Sequence, residues 1–217
     1  MPKVKKIYVW TNLVRPKWQP WSNTIAYYPL NYDFTDKSWN WYNLTVSNAT
    51  ISSVGEVPCA YYNWGRAYNT SAPVGTQRTL SAWVYNPWTS WVIIWSWANQ
   101  TSYYAIMLAL SSWNIQISDF YSIGYAGTTP SQNARHHVVA VADNATMKVY
   151  LDGVLKASWT HTRTDSSTGV SVWWKPYTDQ YPDLYTWYIS NAIIENVAWS
   201  DSDILNYYNL TKWNYWF

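Results

Sequence analysis

Apolar and polar residues alternate with a period of two through much of this chain. Alternating or short β-branched and aromatic runs occupy residues 25–30, 79–85, 91–97, 103–110, 114–118, 136–142, 146–151, 154–158 and 187–199. Successive side chains on a strand point to opposite faces, so each run can bury one face and leave the other for solvent or a second layer. The runs recur at roughly 8–12 residues with turn residues between them, which predicts an all-β, two-sheet antiparallel sandwich. Asp152-Gly153 separates two of the runs and supplies the residue pair that a two-residue type I′ hairpin turn requires. One short helix is predicted over 200–209. Ser200 stands as its N-cap and Asp203 three residues on, while Ile204, Leu205, Tyr207 and Tyr208 form the apolar stripe. Residues 1–22 differ, being basic and carrying Pro2, Pro16 and Pro20 around one strand-like run at 6–9. They read as an N-terminal arm preceding a single domain at 23–217.

Charge and composition narrow the classes. Of the 217 residues only 12% are charged, 48% are hydrophobic and 20% aromatic, and the net charge is +2. Disordered chains show the opposite balance. A basic-patch nucleic-acid binder is not expected, and neither is insertion into a membrane, since no uncharged apolar run approaches the length of a membrane span. The basic N-terminus has no apolar run behind it, so the expected product stays in the cytosol where it is made. Cys59 is the single cysteine, which excludes an internal disulfide and a multi-cysteine zinc site.

The glycine and tryptophan counts disagree with the fold. There are 7 Gly and 19 Trp, where average usage would give about 15 Gly. Tryptophan stands in turn contexts such as Ser38-Trp39-Asn40-Trp41, Asn86-Pro87-Trp88-Thr89 and Ser111-Ser112-Trp113-Asn114. Turn physics selects glycine at such places and never a bulky indole. Some bacterial lineages and their viruses read UGA as glycine, and translating those codons as tryptophan generates this pattern. The positions expected to be glycine are Trp10, Trp18, Trp21, Trp39, Trp41, Trp64, Trp88, Trp95, Trp113, Trp173, Trp174, Trp187, Trp213 and Trp216. Trp83, Trp97 and Trp199 lie in apolar strand or strand-end contexts and read as genuine. The rival is a tryptophan-rich surface for stacking on sugar rings.

Four stretches, in order along residues 24–211, resemble the laminin-G-like jelly rolls of the concanavalin A-like lectin/glucanase superfamily. They are Ala26 to Thr45 with its Leu-Asn, two Asp and Ser38-Trp39-Asn40-Trp41; Leu80-Ser81-Ala82-Trp83-Val84; His136-His137-Val138-Val139 through Tyr150-Leu151-Asp152-Gly153-Val154-Leu155; and Tyr188 to Ser200 with the helix after it. The resemblance implies a two-sheet jelly roll, and Trp39 and Trp41 occupy its glycines. It departs at Arg135, where the family often has Trp, and at Ser190-Asn191, where an acidic residue is common. The arm segment from Lys5 to Pro16 resembles a short opening segment of many phage structural proteins.

The chemistry expected on this fold follows from its carboxylates and aromatics. A glycosidase needs two carboxyl groups facing each other across one site. Glu56 and Glu195 are far apart, and the period-two neighbours of Glu195 are Ile193 and Val197, so catalysis is not expected. His136 and His137 are adjacent and must point to opposite faces, so they cannot chelate one metal; one packed and one exposed histidine is expected. No cofactor is required. The resemblance implies a structural calcium near Asp33 and Asp36, completed from the last strand at Asn191, against the alternative of solvated loop carboxylates. For ligand binding the expected surface is the loop bearing Tyr177, Asp179, Tyr181, Asp183 and Tyr185, flat apolar faces with polar edges suited to sugars.

Together these readings predict a non-enzymatic glycan-recognition or structural module. The leading expectation is a phage virion component, assembled in the host cytoplasm, such as a tail-fibre, receptor-binding or decoration protein. Its partners would be a cell-surface glycan or polysaccharide and, through residues 1–22, other virion proteins or further copies of itself. The alternative is a bacterial cell-surface adhesion or carbohydrate-binding module.

Overall fold

A computed structural model describes residues 22–86, 91–96, 106–111, 114–118, 123–125, 128, 130–144, 146–160, 167–172 and 186–215. The arm, apart from Ser22, and the loop carrying Tyr177, Asp179, Tyr181, Asp183 and Tyr185 lie outside these residues. Thirteen strands follow in chain order: β1 (Thr24–Tyr28), β2 (Thr45–Val54), β3 (Val57–Val74), β4 (Arg78–Asn86), β5 (Trp91–Ser96), β6 (Ile106–Ser111) and β7 (Asn114–Ser118). After these come β8 (Ile123–Tyr125), β9 (Ala134–Ala142), β10 (Thr146–Leu151), β11 (Val154–Thr160), β12 (Ser167–Val172) and β13 (Thr186–Glu195). The helix α1 (Asp201–Thr211) and a single 3-10 turn close the described chain.

All pairings are antiparallel and run β11-β10-β9-β4-β13-β3-β12-β5-β6-β7-β8, with β1 added to β13 and β2 to β3. The sheet curls so that β7 comes against β10 and β8 against β11. Its corner is β3. Residues 60–63 of that strand pair with β13, whereas residues 67–74 pair with β12. Between the two halves the β2 register jumps, from Ser47 opposite Arg66 to Ala49 opposite Tyr62. A strand that changes layer needs such an irregularity to bend. Gly65 permits it: a Cβ there would lie 2.2 Å from the carbonyl oxygen of Asn48, which itself sits at φ 52°.

Between the two layers lies the main core. Leu80, Ala82, Val84, Val138, Ala140 and Val149 come from one side, and Leu108, Leu110, Ile115, Ile117, Val170 and Val172 from the other. Each large aliphatic side chain fully buried there contributes about 1.5–3 kcal/mol before conformational entropy is set against it. The alternate residues Val139, Val141, Tyr150 and Ile193 face outward, into a second cluster closed by Trp199 and Ile204. That cluster exists because α1 lies on the outer face of the β4-β9-β10 side. The helix starts as its sequence predicts. Ser200 accepts from the Asp203 amide and Asp203 returns the bond to the Ser200 amide. Asp201 then accepts from the Tyr150 hydroxyl at 2.7 Å, pinning the first turn to β10.

The cover given by α1 corrects one expectation. His136 and His137 do point to opposite faces, but both are buried, because the helix encloses the outer one. His137 sits against Trp83, Tyr207 and Tyr208, with Nε2 2.8 Å from Ser81 Oγ. Burial pushes its imidazole down to about 3, so it stays neutral. The Asp152-Gly153 turn is as predicted, with φ 52° and 79°.

Strands β2, β3, β8 and β12 are additions to the predicted set. β2 carries no fully buried position, and β3 contains Pro58, Gly65 and Pro73, which locally read as breakers. Gly65→Ala should therefore destabilise the domain by about 3 kcal/mol or more, since backbone rather than a flexible side chain must give way. Gly55→Ala, in the open β2–β3 turn at φ 60° with no atom within 4 Å, should cost only about 1 kcal/mol. Urea denaturation of both variants checks the contrast.

Candidate functional site

The loop after β1 contains the residues expected to hold calcium. Asp36 is buried and accepts four bonds: the amides of Tyr27 (3.0 Å) and Ser38 (2.8 Å), the Ser38 hydroxyl (2.8 Å) and the Tyr42 amide (3.0 Å). Asp33 caps Thr35 through its amide and hydroxyl and pairs with Lys37 at 3.2 Å. Asn191 accepts from the Tyr27 hydroxyl at 2.6 Å and donates to the Tyr207 hydroxyl at 2.9 Å. Asp36 and Asn191 thus hold opposite ends of Tyr27. The Asp36 carboxylate thus organises the loop through protein donors at both of its oxygens. No group of three His, Cys, Asp or Glu able to hold a metal occurs among the described residues.

On the same loop Trp39 has φ 75° and Trp41 φ 62°, and their side chains are 76% and 74% exposed. Two adjacent-but-one indoles thus combine a left-handed backbone with almost no packing. Trp95 shows a different mismatch: it is buried on β5 with its Nε1–H unsatisfied. Trp83 donates to Thr211 Oγ1 at 3.2 Å and stacks on Tyr208 and Tyr215, and Trp199 packs on Tyr207. Trp64 and Trp187 lie within β3 and β13, and Trp213 is exposed in the 3-10 turn. Trp10, Trp18, Trp21, Trp88, Trp113, Trp173, Trp174 and Trp216 lie outside the described residues.

A second constellation appears only through strand register. Tyr61 of β3 is opposite Tyr188 of β13, Tyr188 opposite Tyr85 of β4, and Tyr85 opposite Arg135 of β9. Their neighbours Tyr62, Ile189 and Val84 fill the main core, so the row lies on the outer face, beyond the cover of α1. All four are half-buried. The Tyr61 and Tyr188 rings are 5.1 Å apart, Tyr188 and Tyr85 meet edge to face at 5.9 Å, and the Arg135 guanidinium is 5.9 Å from the Tyr85 ring centre. Arg135 reaches to the β2–β3 turn, where Nη2 donates to the Val54 carbonyl at 2.6 Å.

Beside Arg135 opens a cavity of about 390 Å3, lined by Tyr85, Ser131, Asn133, Arg135, His136, Asp152 and Tyr215 among others. Asp152 places Oδ2 2.8 Å from His136 Nδ1, and Oδ1 accepts from the His137 amide at 2.9 Å. His136 Nε2 turns to Ser131 Oγ at 2.9 Å. Both oxygens of this carboxylate are therefore engaged in holding the β10–β11 turn against β9. Nothing in the local sequence joins these residues into one site. Tyrosine and arginine at outward strand positions become a site only when four distant strands are put in register.

The two glutamates are placed apart. Glu56 is exposed in the β2–β3 turn. Glu195 is 1% exposed at the end of β13, where Oε1 accepts from Thr24 Oγ1 at 2.6 Å and Oε2 has no partner.

The strand order and the two packed layers define an antiparallel jelly-roll β-sandwich. No protein-family profile and no curated protein matches the sequence. Solved structures do match the fold. Domain 4 of AbnA, a GH43 extracellular arabinanase from Geobacillus stearothermophilus in complex with arabinotriose, aligns at TM-score 0.67 and 17% identity, over 85% of this chain and 97% of that one. The binding domain of paraclostridial mosquitocidal protein 1 aligns at TM-score 0.67 and 14% identity, over 88% and 53%. The structure of botulinum neurotoxin type C, whose cell entry depends on interaction with two ganglioside molecules, aligns at 0.65 and 16%, over 87% and 51%. The chain thus spans nearly all of the arabinanase domain and about half of each toxin chain.

Burial raises the Glu195 carboxyl from its ordinary 4.5 to about 7. The folded protein therefore keeps this proton where the unfolded chain has lost it. Stability should fall as pH rises from about 4.5 to about 7, by on the order of 3 kcal/mol from this group. Glu195→Gln should remove that part of the slope, as denaturation midpoints taken between pH 5 and 8 will show.

Proposed function

We propose that this domain is a non-catalytic glycan-recognition module whose ligand lies along the row Tyr61, Tyr188 and Tyr85. The observation that carries the reading is the row itself. It presents three half-exposed aromatic rings in register on a rigid sheet, and they lead to a cavity edged with hydroxyl, amide and charged groups. Aromatic faces take up the apolar faces of sugar rings, and the polar edges read hydroxyls. Support comes from the arabinotriose and the gangliosides named for two proteins of like fold. The absence of catalysis is supported by the carboxylates: Asp152 is engaged through both oxygens, and Glu195 is enclosed. The laminin-G-like motifs and the phage-like segment at residues 5–16 support a finer reading, a virion component whose residues 1–22 contact another chain.

A glycan microarray probed with the full chain should give hits among polysaccharides or cell-surface glycans. Tyr61→Ala, Tyr85→Ala and Tyr188→Ala should each weaken the best hit about five- to tenfold in affinity electrophoresis. Removal of residues 1–20 should leave that binding intact and prevent incorporation into particles. An array without hits, or release of reducing ends that Glu195→Gln abolishes, would overturn the reading.

We also infer that the natural product carries glycine at positions 39 and 41. The support is the pairing of left-handed φ with exposed indoles, set against 7 Gly and 19 Trp in the whole chain. A side chain with a Cβ costs about 1 kcal/mol or more in that region, and glycine does not. Trp39→Gly with Trp41→Gly should raise stability by about 2 kcal/mol in thermal melts while leaving glycan binding unchanged. Peptide sequencing of the protein from its native source should read glycine at both positions. Tryptophan in those peptides, or loss of binding in the double variant, would favour indoles retained for stacking on sugars.

A further inference from the structure

We infer that the cavity beside Arg135 takes the carboxylate of an acidic sugar, a uronic or sialic acid, whose ring and neighbours run onto the tyrosine row. The inference rests on the glycan reading of that row and adds the class of sugar. Its starting point is a half-buried cation with no carboxylate partner among the described residues. No carboxylate among the described residues pairs with Arg135; the ion pairs there are Lys37–Asp33, His136–Asp152 and Lys148–Asp201. The carboxylate nearest in the cavity lining, Asp152, has one oxygen on His136 Nδ1 and the other on the His137 amide.

A half-buried guanidinium without a counterion is costly unless something supplies one. Burial indeed lowers the affinity of Arg135 for its proton. Protein contacts take only part of its donor capacity. Nη2 donates to the Val54 carbonyl at 2.6 Å and lies 3.5 Å from that of Val57, and the side chain also meets the Cys59 sulfur, while the guanidinium carries five N–H groups in a planar fork. Those two carbonyls fix the fork in place, so little side-chain freedom remains to be lost when an anion arrives. The cavity, about 390 Å3, is large enough for one pyranose and is open at Ser131 and Asn133, whose polar groups can meet ring hydroxyls. A carboxylate fits the planar fork bidentately. The sugar ring fits because the same arginine ends the aromatic row, in register with Tyr85.

The test is a paired comparison on the full chain by calorimetry: 3′-sialyllactose against lactose, and a galacturonic-acid trisaccharide against its carboxyl-reduced counterpart. At least one acidic partner should bind about tenfold or more tightly than its neutral twin, and the arm showing the preference names the sugar. Arg135→Gln should abolish the preference and leave the weak neutral binding in place. Arg135→Lys, which keeps the charge and loses the fork, should abolish most of it. Should Arg135→Gln fail to fold, the side-chain Nε–H resonance of wild-type Arg135 decides: a shift with the preferred acid and none with its neutral twin upholds the site. Equal binding of acid and neutral partner, or an unmoved Arg135 resonance, overturns the inference while leaving glycan recognition standing. No binding of any of the four sugars, together with an empty microarray, removes both.

Discussion

The close approach of Gly65 to the Asn48 carbonyl is the contact on which the architecture turns. It lets one 18-residue strand serve both layers, so the core is enclosed by a sheet folded on itself rather than by two sheets docking. One half of β3 pairs with β13 and the other with β12, so the strand joins the two layers. The same bend decides where Tyr61 lies, because it sits in the half that pairs with β13. A bulky residue at 65 would thus disturb the tyrosine row and the core together.

The outer face of the β3-β13-β4-β9 layer is divided between two occupants. Over Trp83, His137, Val139 and Ile193 lies α1 with the stacked rings of Tyr208 and Tyr215. The next row toward the strand ends, from Tyr61 to Arg135, is left half open. Tyr215 marks the border, stacked on Trp83 on one side and lining the cavity on the other. Asp152 does comparable work at the far edge, where one carboxylate of a hairpin turn orients both His136 and the His137 amide. The site is therefore built on regular strands and one tight turn, which favours a preorganised surface.

Features decided within a few residues were legible in the sequence. The Asp152-Gly153 turn and the Ser200–Asp203 capping box are local chemistry, and both stand where the pattern put them. Nine of the strands were legible from alternation, whereas β2 and β3 were hidden by polar outer faces and by Pro58, Gly65 and Pro73. The oxygen-rich loop at Asp33 and Asp36 was visible as a cluster, but composition cannot show which donors meet a carboxylate; Asp36 accepts from three amides and one hydroxyl. His137 misled because its burial depends on a helix 64 or more residues later in the chain. The row Tyr61, Tyr188, Tyr85 and Arg135 was illegible for the same reason, since only register brings those positions together.

A row laid across strands also has a handedness. Neighbouring strands are spaced by about 4.8 Å and rotate by roughly 20–25° with a fixed sense. Four positions in register therefore form a track about 14 Å long that turns through some 60–75° from Tyr61 to Arg135. The tilt of 36° between Tyr61 and Tyr188 and of 75° between Tyr188 and Tyr85 already departs from a flat table. A straight, planar ligand cannot lie flat along the whole of such a track. On the glycan reading proposed above, a chain that winds in the matching sense would follow it from end to end, so the surface would select the screw of a polymer as well as the identity of its units.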